Sequence, residues 1–224
     1  MKQLKHTDRS PYGLFVISTP NVMQCVLAVV DTRLPGDGPP RRPPNKLVRS
    51  REYLTLEEIN ALRSAARSTG RHTVRDEALI VVAYRHALRV NELVGLRWTD
   101  IDLVNRTIHI NRSKREAEQT HCLADDEIEL LQQLPRKNEY VFATEVGTQM
   151  SRRTAFDKIQ RAGKLANLSI KAHPHMLRHT RGYLLANRGT PTRDIQDYMG
   201  HKDIRSTQLY TALAAERNRG LEQD

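Results

Sequence analysis

Apolar residues recur at helical spacing in the first ordered part of the chain. They predict a helix from Thr55 to about Gly70, in which Thr55 and Glu58 form a capping box. A second helix over Thr73–Ala87 is apolar enough to lie in the centre of the core, and a short one follows over Asn91–Leu96.

The one strong β pattern comes next. Arg106–Arg112 alternates polar and apolar residues with period two, and a polar turn separates it from Thr120–Leu123. Tyr140–Ala143 is predicted to add a short edge strand. Further helices are predicted at about 125–134, 151–167, 174–188, 191–199 and 203–210. These elements predict a mainly α protein with a small antiparallel β-sheet, an α+β fold.

The pattern also predicts the domain organisation. Residues 1–52 are expected to be a basic, poorly ordered extension, because Arg33–Asn45 is dense in proline and glycine. Met23 is an alternative start. A single domain is predicted over residues 53–213, and residues 214–224 are predicted to form a C-terminal tail.

Composition narrows the class of function. A formal net charge of +10 favours a polyanionic partner, most simply nucleic acid, although many basic proteins bind none. Two cysteines give no disulfide framework, and no run reaches the roughly 18 apolar residues of a membrane helix. We therefore expect a cytoplasmic, nucleoid-associated protein with no membrane contact.

Four separated segments supply candidate chemistry. Arg89 lies in ALRVNEL, Lys114 lies in the hairpin turn, HMLRH places His175 and Arg178 on one helical face, and GH precedes Tyr210 by nine residues. Each feature alone is more often structural, as a solvated cation or a packed tyrosine.

A metal site is the alternative for the third segment. His175 and His179 have the i, i+4 spacing of zinc-binding helices. Position 176 is Met where a metalloprotease has Glu, and Arg178 on the same face would repel a dication. We therefore predict no metal there.

Together, the four segments resemble the boxes of the tyrosine recombinase (phage integrase) family, in the family's order, over residues 53–213. HPHMLRH and IQDYMGH make the chain most similar to the recombinases that invert fimbrial promoter elements in enteric bacteria. The resemblance implies a site-specific DNA recombinase that acts through a 3′-phosphotyrosyl intermediate, without metal or nucleotide cofactor.

The resemblance also implies a role for each matching residue. Arg89 and Arg178 would clamp the scissile phosphate, and Tyr210 would be the nucleophile. His175 would take the tyrosine proton, Lys114 would protonate the leaving oxygen, and His201 would hydrogen-bond the phosphate. The hairpin lacks the glycine that the family often has beside the lysine, so Arg115 is an alternative to Lys114.

A basic helix is the candidate DNA contact outside these boxes. Ser151 is its predicted N-cap, and Ala155, Ile159, Ala162 and Ala166 its buried stripe. Five cations lie largely on other faces and either contact DNA or are simply solvated: Arg152, Arg153, Lys158, Arg161 and Lys164.

The expected partners are double-stranded DNA with inverted-repeat sites, three further copies in a homo-tetramer, and DNA-bending accessory proteins. Two other functions stay open from the residues: a type IB topoisomerase-like activity and a non-catalytic DNA-binding regulator.

Overall fold

The computed structural model describes residues 51–112 and 119–219, with side chains up to 212. Residues 1–50 of the predicted extension 1–52, residues 113–118 with Lys114 and Arg115, and residues 220–224 lie outside this range. The elements are α1 (Leu56–Ser68), α2 (Thr73–Arg85), α3 (Val90–Gly95), a 3₁₀ turn (Trp98–Asp100), β1 (Ile101–Asp102), β2 (Thr107–Ile110), β3 (Gln119–Cys122), α4 (Asp125–Gln132), α5 (Arg152–Leu165), α6 (Pro174–Asn187), α7 (Thr192–Met199) and α8 (Arg205–Arg219).

The predicted start of α1 is confirmed in detail. The Thr55 hydroxyl accepts a hydrogen bond from the Glu58 amide, and the Glu58 carboxylate accepts one from the Thr55 amide. Leu54 and Ile59 on either side are buried. Because both backbone amides at the helix start have a hydrogen-bond acceptor, the helix begins at a fixed residue.

The main core forms around α2. Its residues Ala78–Tyr84 are all buried, so this helix contacts α1, α4 and α6 on different sides. A run of seven consecutive buried residues covers every side of a helix, which is expected only in the middle of a layered domain.

The sheet has three antiparallel strands in the order β1-β2-β3. Ile108 pairs with Ile101 on one side and with His121 on the other. Strand β1 is absent from the prediction because two residues are too few to show alternation. The predicted strand Tyr140–Ala143 is wrong: these residues form only isolated bridges, Arg97 with Tyr140 and Ala143 with Gln149.

A second, smaller cluster joins α6, α7 and α8. It contains Ala87, Tyr183, Ala186, Ile195, Met199 and Tyr210. Gly182 makes this packing possible, because a Cβ there would lie 2.8 Å from the Tyr210 ring. Helix α8 runs to Arg219, nine residues past the predicted end.

Within the described residues, no helix combines the length and apolar character that a bilayer-spanning segment needs.

Candidate active site

The end of α7 is the centre of the candidate site. Gly200 has φ +60° and forms the left-handed C-cap of this helix, which ends at Met199 as the sequence predicted. The last carbonyls of this helix accept hydrogen bonds from arginine side chains: Tyr198 O from Arg112, Met199 O from Arg178 and Gly200 O from Arg89. The negative end of the helix dipole thus gathers three guanidiniums.

Arg89 lies where α3 begins. Its Nη2 donates to the Gly200 carbonyl at 2.9 Å, and its Nη1 donates to Glu92 Oε1 at 2.9 Å. About a third of the side chain is exposed, so the guanidinium lies at the surface of the cluster.

Arg178 lies deeper, with 1% of its surface exposed. Nη1 donates to the Ala87 carbonyl, and Nη2 donates to the Met199 carbonyl. Burial lowers the pKa of Arg178 to about 10, and the nearby charges of Arg89 and Arg112 act in the same direction. The guanidinium still carries its charge at neutral pH.

Tyr210 lies against this cluster from the side of α8. Its side chain is buried, its ring meets that of Tyr183 edge to face at 5.0 Å, and its hydroxyl lies 2.8 Å from His179 Nδ1. Burial raises the pKa of Tyr210 to about 12, and the charge of Arg178 opposes this rise.

The two histidines of HMLRH have different surroundings. His175 is exposed, and burial of part of the ring together with the Arg178 charge lowers its pKa. Burial and then His175 lower the pKa of His179 to about 3, so His179 is neutral at pH 7. The two rings meet edge to face at 4.3 Å, and the His179 ring lies 5.7 Å from the ring of Tyr210.

His201 follows the α7 cap. Its Nδ1 lies 2.9 Å from the Thr207 hydroxyl, and its ring is nearly parallel to that of Tyr210 at 6.1 Å. The structure therefore gathers five of the six predicted residues: Arg89, His175, Arg178, His201 and Tyr210. The sixth, Lys114, lies outside the described residues.

Three residues of the site were not predicted as functional groups. The sequence marks His179 only as a possible metal ligand, although its spacing from His175 puts it on the same helical face. Glu92 and Arg112 give no separate signal, because an acid in a helix and a cation at a strand end are usually solvated.

In the described part of the chain, no three His, Cys, Asp or Glu side chains cluster in a way that could hold a metal ion.

The basic helix α5 has the predicted N-cap, since the Ser151 hydroxyl accepts from the Thr154 amide at 3.0 Å. Ala155, Ile159 and Ala162 are buried, whereas Ala166 is the C-cap and only half-buried. Four of the five predicted cations are exposed: Arg152, Arg153, Arg161 and Lys164.

Lys158, the fifth, differs from them. Its Nζ lies 2.7 Å from Oδ2 of the buried Asp76 on α2. A quarter of the Lys158 side chain is exposed, but its ammonium neutralises a buried carboxylate, so in this conformation Lys158 belongs to a structural ion pair.

The comparisons with known proteins agree with this geometry. Residues 52–217 match the model of the phage integrase family. The chain belongs to the phage integrase family. It is 40% identical over 181 residues to the type 1 fimbriae regulatory protein FimB of Escherichia coli K12, an alignment that covers 77% of this chain and 90% of FimB.

Solved structures of tyrosine recombinases have the same fold. XerA recombinase superposes with a TM-score of 0.66 at 26% identity, over 83% of this chain and 67% of XerA. XerH site-specific recombinase bound to its difH substrate gives 0.63 at 23% identity, over 72% of this chain and 50% of XerH. The predicted fold class is confirmed, and the chain is a tyrosine-type site-specific recombinase.

Proposed function

We propose that this recombinase cleaves and rejoins DNA through a 3′-phosphotyrosyl bond at Tyr210 and inverts a promoter element that controls fimbrial expression. The observation that carries the proposal is the convergence of Arg89, Arg178 and Tyr210 at the end of α7. The 40% identity to FimB, in an alignment that covers 90% of FimB, supports a fimbrial promoter element as the substrate.

The two arginines supply the phosphate site. A phosphodiester carries one negative charge, and nucleophilic attack puts more on its non-bridging oxygens. Guanidiniums donate to such oxygens in a forked geometry and keep their charge at neutral pH. Each donor contributes roughly 10²–10³ in rate when it is held in place beforehand. The carbonyls of Ala87, Met199 and Gly200 hold Arg178 and Arg89 in this way.

Tyr210 attacks the phosphorus and the bond to the 5′ oxygen breaks, so one phosphate ester replaces another. The energy of the ester is kept for resealing, and the reaction needs no nucleotide or metal cofactor. The leaving 5′ oxygen takes a proton, for which Lys114 is the proposed donor.

The tyrosine proton needs an acceptor, because a phenol with a pKa of about 12 is almost wholly protonated at pH 7. His175 is the acceptor that the family resemblance implies. In this conformation the hydroxyl contacts His179 instead. We propose that His179 binds the Tyr210 hydroxyl in the free enzyme, and that His175, which is exposed, accepts the Tyr210 proton when the DNA phosphate is bound.

Such a change requires α8 to shift. Tyr210 is 1% exposed, so no phosphodiester reaches its hydroxyl in this conformation. DNA binding would supply the free energy that releases Tyr210 from its contacts with Tyr183 and Met199.

The proposed substrate is double-stranded DNA with paired inverted-repeat sites. A homo-tetramer would hold these sites together, with the help of DNA-bending proteins. The reaction would take place in the cytoplasm, at the nucleoid. The solved structure of XerH, which has the same fold, holds that recombinase on its difH substrate. The four exposed cations of α5 are the proposed phosphate contacts outside the catalytic centre, and Lys158 is no longer among them.

Trapping on genomic DNA tests this proposal. The protein is incubated with sheared, nicked genomic fragments of its source bacterium, the mixture is denatured, and DNA that stays attached to protein is sequenced at the attached ends. We expect the 3′ ends of two inverted repeats that flank a promoter. A plasmid carrying both repeats should then yield the inverted segment with wild-type protein and none with Tyr210→Phe.

Two outcomes contradict the proposal. Relaxed plasmid without an inverted segment would indicate a topoisomerase-like enzyme. Binding without any covalent adduct, equal for wild type and Tyr210→Phe, would indicate a DNA-binding regulator.

A further inference from the structure

Arg112 is a buried cation at the edge of the candidate active site. It lies two residues after the end of β2 at Ile110, and its side chain has no exposed surface. Its guanidinium donates hydrogen bonds to Glu92, to Tyr198 O and twice to Gln119. A charged side chain is buried in this way only when its partners satisfy it almost completely.

The bond to Glu92 links Arg112 to the phosphate clamp. Oε2 of Glu92 accepts from Arg112 Nη1 at 2.7 Å, and Oε1 accepts from Arg89 Nη1 at 2.9 Å. The carboxylate, 7% exposed, therefore lies between two guanidiniums. The Glu92 carboxylate therefore orients Arg89, while Arg112 supplies a second positive charge that compensates it.

Arg112 also lies directly under the cap of α7. A Cβ on Gly200 would lie 2.9 Å from Arg112 Nε, and Gly200 O is the acceptor for Arg89 Nη2. Arg112 thus contacts both groups that orient Arg89, the Glu92 carboxylate and the segment that contains the Gly200 carbonyl.

We propose that Arg112 is a positioning residue for the recombination reaction: it shares the Glu92 carboxylate and supports the α7 cap, so that Arg89 is held ready to bind the scissile phosphate. This inference rests on the proposed function and assigns Arg112 no contact with DNA.

The physical reason is competition for Arg89. With Arg112 present, the Glu92 carboxylate is shared between two guanidiniums, so it holds Arg89 less tightly and leaves Arg89 able to donate to the phosphate. Without Arg112, the buried carboxylate would have Arg89 as its main counter-charge and would attract it more strongly. A buried carboxylate that loses one of two cations binds the other more tightly, because its own charge is poorly solvated.

The test is single-turnover cleavage of a synthetic duplex that carries the trapped site with a nick beside the scissile phosphate. Wild-type protein must first form the covalent adduct, and its failure to do so would contradict the proposed function rather than the role of Arg112. We expect Arg112→Met to bind this duplex with similar affinity and to cleave it about 10²-fold more slowly, as a displaced catalytic group typically does.

Substrate chemistry separates positioning from general structural damage. A methylphosphonate at the scissile position carries no charge and therefore depends less on the guanidiniums. We expect the rate deficit of Arg112→Met, relative to wild type, to fall at least tenfold on this substrate, in line with the 1.4 kcal/mol of a tenfold change. Adding Glu92→Gln to Arg112→Met should likewise restore part of the rate on the ordinary phosphodiester.

Two further variants complete the design. Arg112→Lys keeps the positive charge beside Glu92 and loses the forked guanidinium, so we expect a cleavage rate between those of wild type and Arg112→Met. This variant also tests the inference if Arg112→Met fails to fold. Arg75→Met is the matched control, because Arg75 also donates to a carboxylate, Asp76, and to a carbonyl, Ala143 O, but lies away from the site. Its rate relative to wild type should not depend on the substrate.

Three results would overturn the inference. One is wild-type cleavage by Arg112→Met. The second is a deficit of equal size on both substrates for Arg112→Met or Arg112→Lys. The third is rescue only by a 5′-bridging phosphorothiolate, whose sulfur leaves without a proton, which would place the effect on the leaving-group donor instead of Arg89.

Discussion

The hydroxyl oxygen of Tyr210 lies 2.8 Å from Nδ1 of His179, within a cluster where both side chains are largely withdrawn from water. His179 is neutral at pH 7, so its Nδ1 can accept the phenolic proton in a hydrogen bond. This contact orients the proposed nucleophile and also holds it away from the surface.

The contact predicts a measurable coupling between the two residues. A neutral hydrogen bond contributes about 0.5–1.5 kcal/mol to the free energy of unfolding, and a buried partner left without one costs about 1–3 kcal/mol. In a double-mutant cycle of Tyr210→Phe with His179→Leu, we expect the single changes to be non-additive by about this amount.

Urea unfolding at pH 7 measures the cycle. His175→Leu is the control partner, because the structure shows ring contact between His175 and His179 rather than a bond to Tyr210. Additive effects for Tyr210 and His179, or equal coupling for both histidines, would contradict the contact.

Alkaline pH should destabilise the fold through Tyr210. Its pKa is raised from 10 to about 12 by burial, so between these values the unfolded chain loses the phenolic proton while the folded chain keeps it. The free energy of unfolding is therefore unaffected by the ionisation of Tyr210 below pH 10. It decreases as the pH rises from 10 towards 12, by about 2–3 kcal/mol for a two-unit pKa shift.

Absorbance at the phenolate band, followed as a function of pH, tests this expectation. Burial also raises the pKa of Tyr183 to about 12 and raises the pKa of Tyr198, so among the described tyrosines wild type should show three late-titrating phenols and Tyr210→Phe two. An unchanged late phase in Tyr210→Phe would show that Tyr210 is not buried in solution.

Salt dependence should separate the exposed cations of α5 from Lys158. If six to eight phosphates are contacted, the slope of log affinity against log salt is about −5 to −7, and each lost contact removes about 0.9. We expect Arg161→Gln to flatten the slope by about one unit, as measured by fluorescence anisotropy on the trapped duplex.

Lys158→Met serves as the comparison. It should leave the salt slope unchanged and lower the free energy of unfolding, because the buried Asp76 loses one of its two ion-pair partners and keeps only Arg75. A flatter slope for Lys158→Met with unchanged stability would return Lys158 to the DNA-contacting set.

The sequence predicted those features that local chemistry determines. The capping box of Thr55 and the N-cap of Ser151 depend on a few neighbouring residues, and the structure confirms them. The helical period likewise predicted α2 as the central helix.

Features that depend on distant contacts were not predictable. His175 and His179 share one helical face, and only the packing of α8 against α6 decides which of them meets the Tyr210 hydroxyl. Arg112 belongs to the site because β2 ends beneath α7, a relationship between segments 86 residues apart. The strand error at Tyr140–Ala143 has the same origin, since an apolar run does not show whether a neighbouring strand is there to pair with it.

The covalent bond to DNA, once located, tests the central claim most directly. The trapped adduct is digested with trypsin and nuclease, and mass spectrometry identifies which of the seven tyrosines carries the nucleotide. We predict that Tyr210 carries it through a 3′-phosphate and that Tyr210→Phe binds DNA without forming an adduct. A nucleotide on any other residue, or an adduct that persists in Tyr210→Phe, would contradict this assignment.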